Sequence, residues 1–194
     1  MNVHAPQPMT VDEFLRWSLE QESGRYELEG GRVIQMQSQN LAHVRTKQLA
    51  YQALADAIER AGLPFYAMPD GPSIRIEGNR CYDPDALVAA LPMPPADSLE
   101  VPNPIIVVEV LSSSPSSIRR DLQTKLVGYG LVATLQHYVI VDPDERIVFR
   151  FRRQAGQLVA TEELAEDGTL RLDPPGLEIP VKDMLTAEAA PPTP

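Results

Sequence analysis

Hydrophobic residues recur along this chain in two rhythms, one near 3.6 and one near 2, and each change of rhythm marks an element boundary. Thr10 and Glu13 have capping-box spacing, and Phe14, Leu15, Trp17 and Leu19 continue at helical spacing up to Ser23-Gly24, which predicts a short amphipathic helix. Arg25 to Glu29 and Arg32 to Met36 flank Gly30-Gly31, the pattern of a tight hairpin. Asn40 suits an N-cap and Gly62 a C′ position. Between them Leu41, Val44, Leu49, Leu54, Ala57, Ile58 and Ala61 outline the longest helix. Short strands are expected at Phe65 to Met68 and Ser73 to Glu77 around the turn Pro69 to Pro72. A further strand is expected over Cys81 to Ala90, with Asp83-Pro84-Asp85 at its entrance. Leu91 to Pro104, rich in proline, predicts an irregular loop.

The next stretch, Ile105 to Leu111, is apolar at every position but one. Such a run predicts a strand buried on both faces, as at the centre of a mixed sheet, and it points Glu109 into a core. An ionised carboxylate there costs several kcal/mol, on the order of any buried charge, unless cations or donors meet it. Pro115 suits a helix start, and Ile118, Leu122, Leu126 and Tyr129 mark a helical face ending near Gly130. His137 to Asp142 predicts a second buried strand, Arg146 to Phe151 an alternating one, Leu158 to Leu164 an antiparallel partner, and Val181 to Leu185 a short helix. The order predicts an α/β (α+β) chain: a central mixed sheet flanked by helices, an N-terminal helix-hairpin extension and C-terminal antiparallel strands. Residues 1–9 are expected to be flexible, 10–186 to form a single domain, and 187–194 to be a disordered Pro-rich tail.

Composition narrows the chemistry. Cys81 is the only cysteine, which excludes a disulfide framework and a thiolate metal cage. No run approaches the roughly 20 apolar residues of a membrane span, and Met1 to Met9 lacks the pattern of a leader, so the expectation is a cytoplasmic protein with no membrane partner. The net charge of −10 and pI near 4.7 run against a nucleic-acid partner. Local clusters, Arg119 with Arg120 or Arg150 with Arg152 and Arg153, remain available to face phosphates.

Asp85 opens one buried strand and Glu109 lies within another. If the strands are neighbours, the two carboxylates converge, and two hard oxygen ligands completed by water and a substrate phosphate describe a Mg2+ (or Mn2+) site. Such an ion polarises a phosphoryl oxygen and acidifies a bound water, the requirement of phosphodiester hydrolysis. The plainer readings are a turn-capping Asp85 after Pro84 and a Glu109 paired with a buried arginine. A zinc site is not expected, since His4, His43 and His137 lack ligand spacing. Ser112 to Ser114 lack a nucleophile elbow, and Cys81 has no nearby base in sequence.

Pro84-Asp85 followed by Glu109 in IIVVEVL resembles the metal-binding core of the PD-(D/E)XK nucleases. The ordered series YELEGGRVI, His43, PDALVA, VVEVLS, Asp121, Lys125, Tyr129 and HYVIVDP is similar to the Uma2 family of restriction-endonuclease-like proteins, over roughly Thr10 to Phe151. The resemblance implies a restriction endonuclease-like core and a metal-dependent endonuclease acting on nucleic acid, DNA in the first instance. It implies Asp85 and Glu109 as metal ligands, and Glu27 of YEL as a further acid beside them. The nuclease signature places a lysine two residues after the glutamate, where this chain has Leu111. The resemblance therefore implies a lysine moved to the following helix, Lys125, which shares a helical face with Asp121 and would orient the attacking water. Plainer readings remain for each: a surface salt bridge for Asp121 and Lys125, an exposed hairpin residue for Glu27, and packing for His43 at its helix N-terminus.

Two rival functions follow from the same residues: a non-catalytic nucleic-acid-binding or protein-interaction module on the nuclease scaffold, and a metal-dependent hydrolase of small phosphate esters. By analogy with cleaving enzymes that act in pairs, a homodimer through the exposed edge of the Arg146 to Phe151 hairpin is also expected.

Overall fold

A computed structural model describes residues 8–112 and 118–186. The Pro115 helix start, the 187–194 tail and most of the 1–9 segment lie outside those residues. Met9, which lies inside them, donates its backbone N–H to the Gly31 carbonyl.

Helix α1 (Val11–Leu19) begins at the predicted capping box, with Thr10 and Glu13 exchanging side-chain and backbone hydrogen bonds. Val11, Phe14 and Leu15 pack on Leu28 and Cys81, fixing α1 against the hairpin of β1 (Tyr26–Glu29) and β2 (Arg32–Gln35). The long helix α2 (Leu41–Ala61) has the expected ends: the Asn40 side chain accepts from His43 N–H, and Gly62 takes the left-handed conformation at φ 61°.

Among the described residues the central sheet has six strands in the order β10-β9-β8-β7-β6-β3. These are β3 (Phe65–Pro69), β6 (Ala86–Ala90), β7 (Pro104–Val110), β8 (His137–Asp142), β9 (Ile147–Gln154) and β10 (Gln157–Ala165). β7 and β8 are parallel and every other pair is antiparallel, so the sheet is mixed with β7 in its interior, as the apolar run predicts. Alternation along β7 divides the core. Ile106, Val108 and Val110 face Ala50, Leu54 and Ile58 of α2, while Val107 and Leu111 face Tyr129 and Tyr138 on the other side. Glu109 shares this second face.

Several expectations need correction. Cys81 to Ala90 is two strands, β5 (Arg80–Tyr82) and β6, which belong to different sheets. Pro84 has no N–H for a ladder, Asp83 N–H is taken by Glu27 and Asp85 N–H by the Val108 carbonyl, so the chain changes sheet at Asp83-Pro84-Asp85. β5 joins β4 (Ile74–Glu77) and the hairpin in a sheet of order β2-β1-β5-β4, which makes the hairpin part of the body of the protein. The helix before Gly130 is not uniformly α: Arg120–Lys125 is a π-helical stretch leading into α3 (Leu126–Gly130). In the hairpin that carries the expected dimer edge, β9 pairs with β10 from Ile147 to Gln154, so the open edge of the six-stranded sheet on that side is β10. The chain also forms a second antiparallel pair that its hydrophobic pattern does not predict, β11 (Thr169–Leu172) and β12 (Leu177–Pro180). It packs Leu170, Leu172 and Ile179 into the α2 side of the core, followed by a 3-10 turn at Val181–Met184.

Candidate active site

Asp85 and Glu109 do come from neighbouring strands. β6 pairs with β7 so that Ala86 opposes Val108, and beyond that register Asp85 N–H donates to the Val108 carbonyl at 3.1 Å. The Asp85 carboxylate turns back to accept Val110 N–H at 2.6 Å through Oδ2. Both carboxylates line one cavity of about 440 Å3, together with His43, Arg120, Asp121 and Lys125.

Glu109 is buried, and the partner that its burial demands is Lys125. Lys125 Nζ lies 2.8 Å from Glu109 Oε1, 3.0 Å from Glu27 Oε1 and 3.9 Å from Asp121 Oδ1. Tyr129 OH donates to the same Glu109 oxygen at 2.8 Å. Glu27, fully buried on β1, also pairs with Arg120 and accepts the Asp83 N–H at 3.0 Å. Three elements thus meet at one ammonium, and the plainer readings of Glu27 as exposed and of Asp121 and Lys125 as a surface pair do not hold. The π-helical stretch carries Arg120, Asp121 and Lys125 to this point, and the Tyr138 hydroxyl supports it by donating to the Asp121 carbonyl at 3.0 Å.

The electrostatics are those of crowded acids. Burial raises the Glu109 carboxyl well above the ordinary range. Lys125 opposes this, and the charges of Asp85, Asp121 and Glu27 add to it. Burial likewise lifts Asp121 to about 6, with Lys125 opposing and Asp85 and Glu27 contributing. Glu27 goes the other way: Lys125, Arg120 and the Asp83 N–H outweigh its burial and hold it below the usual carboxylate value. For Lys125, burial works to remove the proton, but Glu109, Glu27 and Asp121 together keep it firmly charged.

His43 reaches the cavity wall. Its Nε2 lies 4.0 Å from Asp85 Oδ2, its Nδ1 has no partner among the described residues, and burial lowers its pKa against the pull of Asp85. Asp83, next to Pro84, accepts from Ser73 at 2.6 Å. Leu111, at the position of the signature lysine, is buried in the core. His137 lies apart, with Nε2 2.9 Å from the Pro174 carbonyl.

One residue of the site, Lys47, is not among those that the sequence singles out, and two that are, Arg120 and Tyr129, take partners that it does not predict. Lys47 of α2 places Nζ 2.7 Å from Asp85 Oδ1 and also pairs with Asp70. Its signal was present: Lys47 stands four residues after His43 and interrupts the buried face that continues through Ala50 and Leu54. Arg120, available by sequence to face phosphate, neutralises Glu27. Tyr129, a core position by spacing, uses its hydroxyl on Glu109. The second basic cluster is also largely engaged internally. Arg150 pairs with Glu162 at 3.1 Å, and Arg153 donates to the carbonyls of Leu135, Gly130, Val132 and Gly156.

The donor set suits a hard cation. Carboxylate oxygens from Asp85, Glu109 and Asp121 match Mg2+ or Mn2+, and their mutual repulsion is what a divalent ion relieves. Among the described residues no three acidic, imidazole or thiol side chains stand close enough to ligate one ion as they are. Mg2+ needs fewer, since it commonly takes one or two carboxylates and keeps several waters.

No helix among the described residues is long and apolar enough to cross a membrane. No curated protein matches the chain. Among solved structures, the fold is similar to that of "a putative nuclease belonging to DUF820 from Anabaena variabilis ATCC 29413", at a TM-score of 0.66 and 20% identity, over 91% of this chain and 97% of that one. A model of the Uma2 family, described as "Putative restriction endonuclease", matches residues 11–182. That span takes in α1, the hairpin, both carboxylate-bearing strands and Lys125, and the chain belongs to the Uma2 family.

Proposed function

We propose that this protein is a divalent-metal-dependent phosphodiesterase that cleaves nucleic acid, with Asp85 and Glu109 as the residues that hold the ion. The observation that carries the reading is the gathering of Asp85, Glu109 and Asp121 on one cavity, where the charge of Asp85 adds to the raised pKa of both Glu109 and Asp121. When bound, Mg2+ or Mn2+ supplies Lewis acidity at a phosphoryl oxygen and lowers the pKa of a coordinated water.

The chain's own residues do the rest. Lys125 has three N–H donors, of which Glu109 and Glu27 take two at hydrogen-bond distance. Its third donor serves to orient a water or a phosphate oxygen in the cavity. Because Lys125 stays charged, its role is donation and charge stabilisation, not proton abstraction. Glu27 and Tyr129 are positioning residues, fixing Lys125 and Glu109 respectively. The nearby cations Lys47 and Arg120 are already paired with acids, so an anionic substrate meets a negative pocket until a metal ion enters. Metal dependence thus follows from the same charge balance that weakens unaided nucleic-acid binding.

The test is cleavage of supercoiled DNA, single-stranded RNA and a small phosphodiester, each with Mg2+, with Mn2+ and with chelator. The wild-type protein should cleave a nucleic acid only with the ion. Glu109→Gln and Asp85→Asn should each reduce the rate by about 100-fold or more, the scale of losing a principal electrostatic element of a site. Cleavage unchanged in both variants removes these residues from the mechanism. A second reading, a binding module on the nuclease scaffold, is favoured by the absence of three convergent ligands among the described residues. It predicts nucleic-acid retention with no cleavage under any of these conditions.

A further inference from the structure

Lys47 is 5% exposed and sits between two carboxylates. Its Nζ is 2.7 Å from Asp85 Oδ1 and contacts Asp70 on the other side, while Asp70 accepts from Arg25 at 2.7 Å. Asp70 follows β3 in the Pro69 to Pro72 turn and is about one-third exposed, so this second partner lies outside the cavity. Oδ2 of Asp85 is held by the Val110 N–H. Each Asp85 oxygen thus has one partner, the Val110 N–H on Oδ2 and the Lys47 ammonium on Oδ1, and only the second partner is a cation.

Two positive charges on one carboxylate repel each other strongly in a buried pocket. A cation arriving at Asp85 must share it with the ammonium or shift the ammonium away. Asp70 gives Lys47 somewhere to remain: the contact already exists, and the flexible stem of a lysine moves its head between neighbouring oxygens at little cost.

We infer that Lys47 is a resident counter-ion of Asp85 that yields this carboxylate to an incoming divalent cation and is retained by Asp70 when it does. The inference rests on the metal reading above and adds a residue to it. Lys47 acts here as a positioning residue, since it pairs with Asp85 and competes with the metal for the same carboxylate. Lys47 and Asp70 therefore have opposite signs. Removing the competitor favours the ion, and removing the retainer leaves the competitor on Asp85.

Calorimetric titration of the full chain with Mn2+ tests this directly, with Glu109→Gln as the site control. Lys47→Met should tighten Mn2+ binding and Asp70→Asn should weaken it, each by roughly three- to tenfold for a change in one neighbouring charge. In the double variant the Asp70→Asn effect should disappear, because there is no ammonium left to retain. Weaker binding in Lys47→Met, or an Asp70→Asn effect that survives in the Lys47→Met background, overturns the inference while leaving the metal site intact. If Lys47→Met does not fold by circular dichroism, Asp70→Asn decides alone, and unchanged or tighter binding there overturns the inference. Wild-type protein that takes up no Mn2+ overturns the metal reading itself, and this inference falls with it.

Discussion

Lys125 Nζ stands 2.8 Å from Glu109 Oε1, joining a π-helical stretch to the innermost parallel strand through a buried contact. Each group is untenable there alone. A buried carboxylate needs a cation, and a buried ammonium needs acids on more than one side, which Glu27 supplies at 3.0 Å.

Breaking this pair should cost more than breaking any surface pair. Lys125→Met leaves Glu109 and Glu27 facing each other and should destabilise by about 3–5 kcal/mol, as for other buried pairs cut at one partner. Adding Glu109→Gln should cost less than the sum of the single variants, by about 0.5–3 kcal/mol of coupling. Urea denaturation of the four proteins measures both. Strict additivity would contradict the contact.

Gly128 of α3 allows Tyr82 to approach the helix. A Cβ at this position would meet the Tyr82 ring at 2.5 Å and its hydroxyl at 2.6 Å, and Tyr82 is fully buried. Tyr82 packs edge-on against Tyr129, with ring centroids 5.3 Å apart, and Tyr129 holds Glu109. Gly128→Ala should therefore lower stability by about 1–3 kcal/mol through overpacking and disturb the site in the same step. Thermal melts and near-UV circular dichroism check the two effects together.

Asn40 connects helix stability to the cavity. Its side chain caps α2 by accepting His43 N–H at 2.8 Å, and the turn that it fixes carries His43 to Asp85. Asn40→Ala should cost about 1 kcal/mol, while Asn40→Ser should restore most of it. Denaturant melts of the three proteins provide the comparison.

His137 is a buried histidine kept neutral. Burial lowers its pKa from 6.5 to about 4, although the hydrogen bond to Pro174 opposes the shift. A depressed pKa of this kind gives stability that is present above about pH 6.5 and is lost as pH falls through about 4. The limit is roughly 3 kcal/mol, from 1.36 kcal/mol per pKa unit. Buried acids such as Asp121 and Asp83, raised to about 6, run the opposite way, since their protonation favours the folded state as pH falls. The His137 contribution is therefore the difference between the wild-type protein and His137→Asn in urea melts at pH 7 and at pH 4.5. The wild type should lose more stability on acidification, and an equal loss in both would contradict the assignment.

Much of this architecture was legible because it is local. The Thr10 to Glu13 box, the Gly30-Gly31 hairpin and the Asn40 to Gly62 helix are written in neighbouring residues, and the structure has each one. Glu109 was legible because a single acid in an apolar strand demands a partner. Lys47 makes the same demand in a helical stripe, but its partners Asp85 and Asp70 lie far away in sequence and nothing local names them. The hairpin's pairing with β5 and the cover of β10 over β9 depend on non-local register, which no short window contains. Arg120 and Arg153 look like phosphate ligands in a sequence. Only the folded chain brings Glu27 to the first and four backbone carbonyls to the second.

The most direct measurement is a crystal structure of the protein soaked with Mn2+, using anomalous scattering to locate the ion. One principal peak is expected in the cavity with carboxylate oxygens of both Asp85 and Glu109 as ligands, and no such peak in Glu109→Gln. A peak elsewhere, or a cavity without one at saturating Mn2+, would contradict the metal reading.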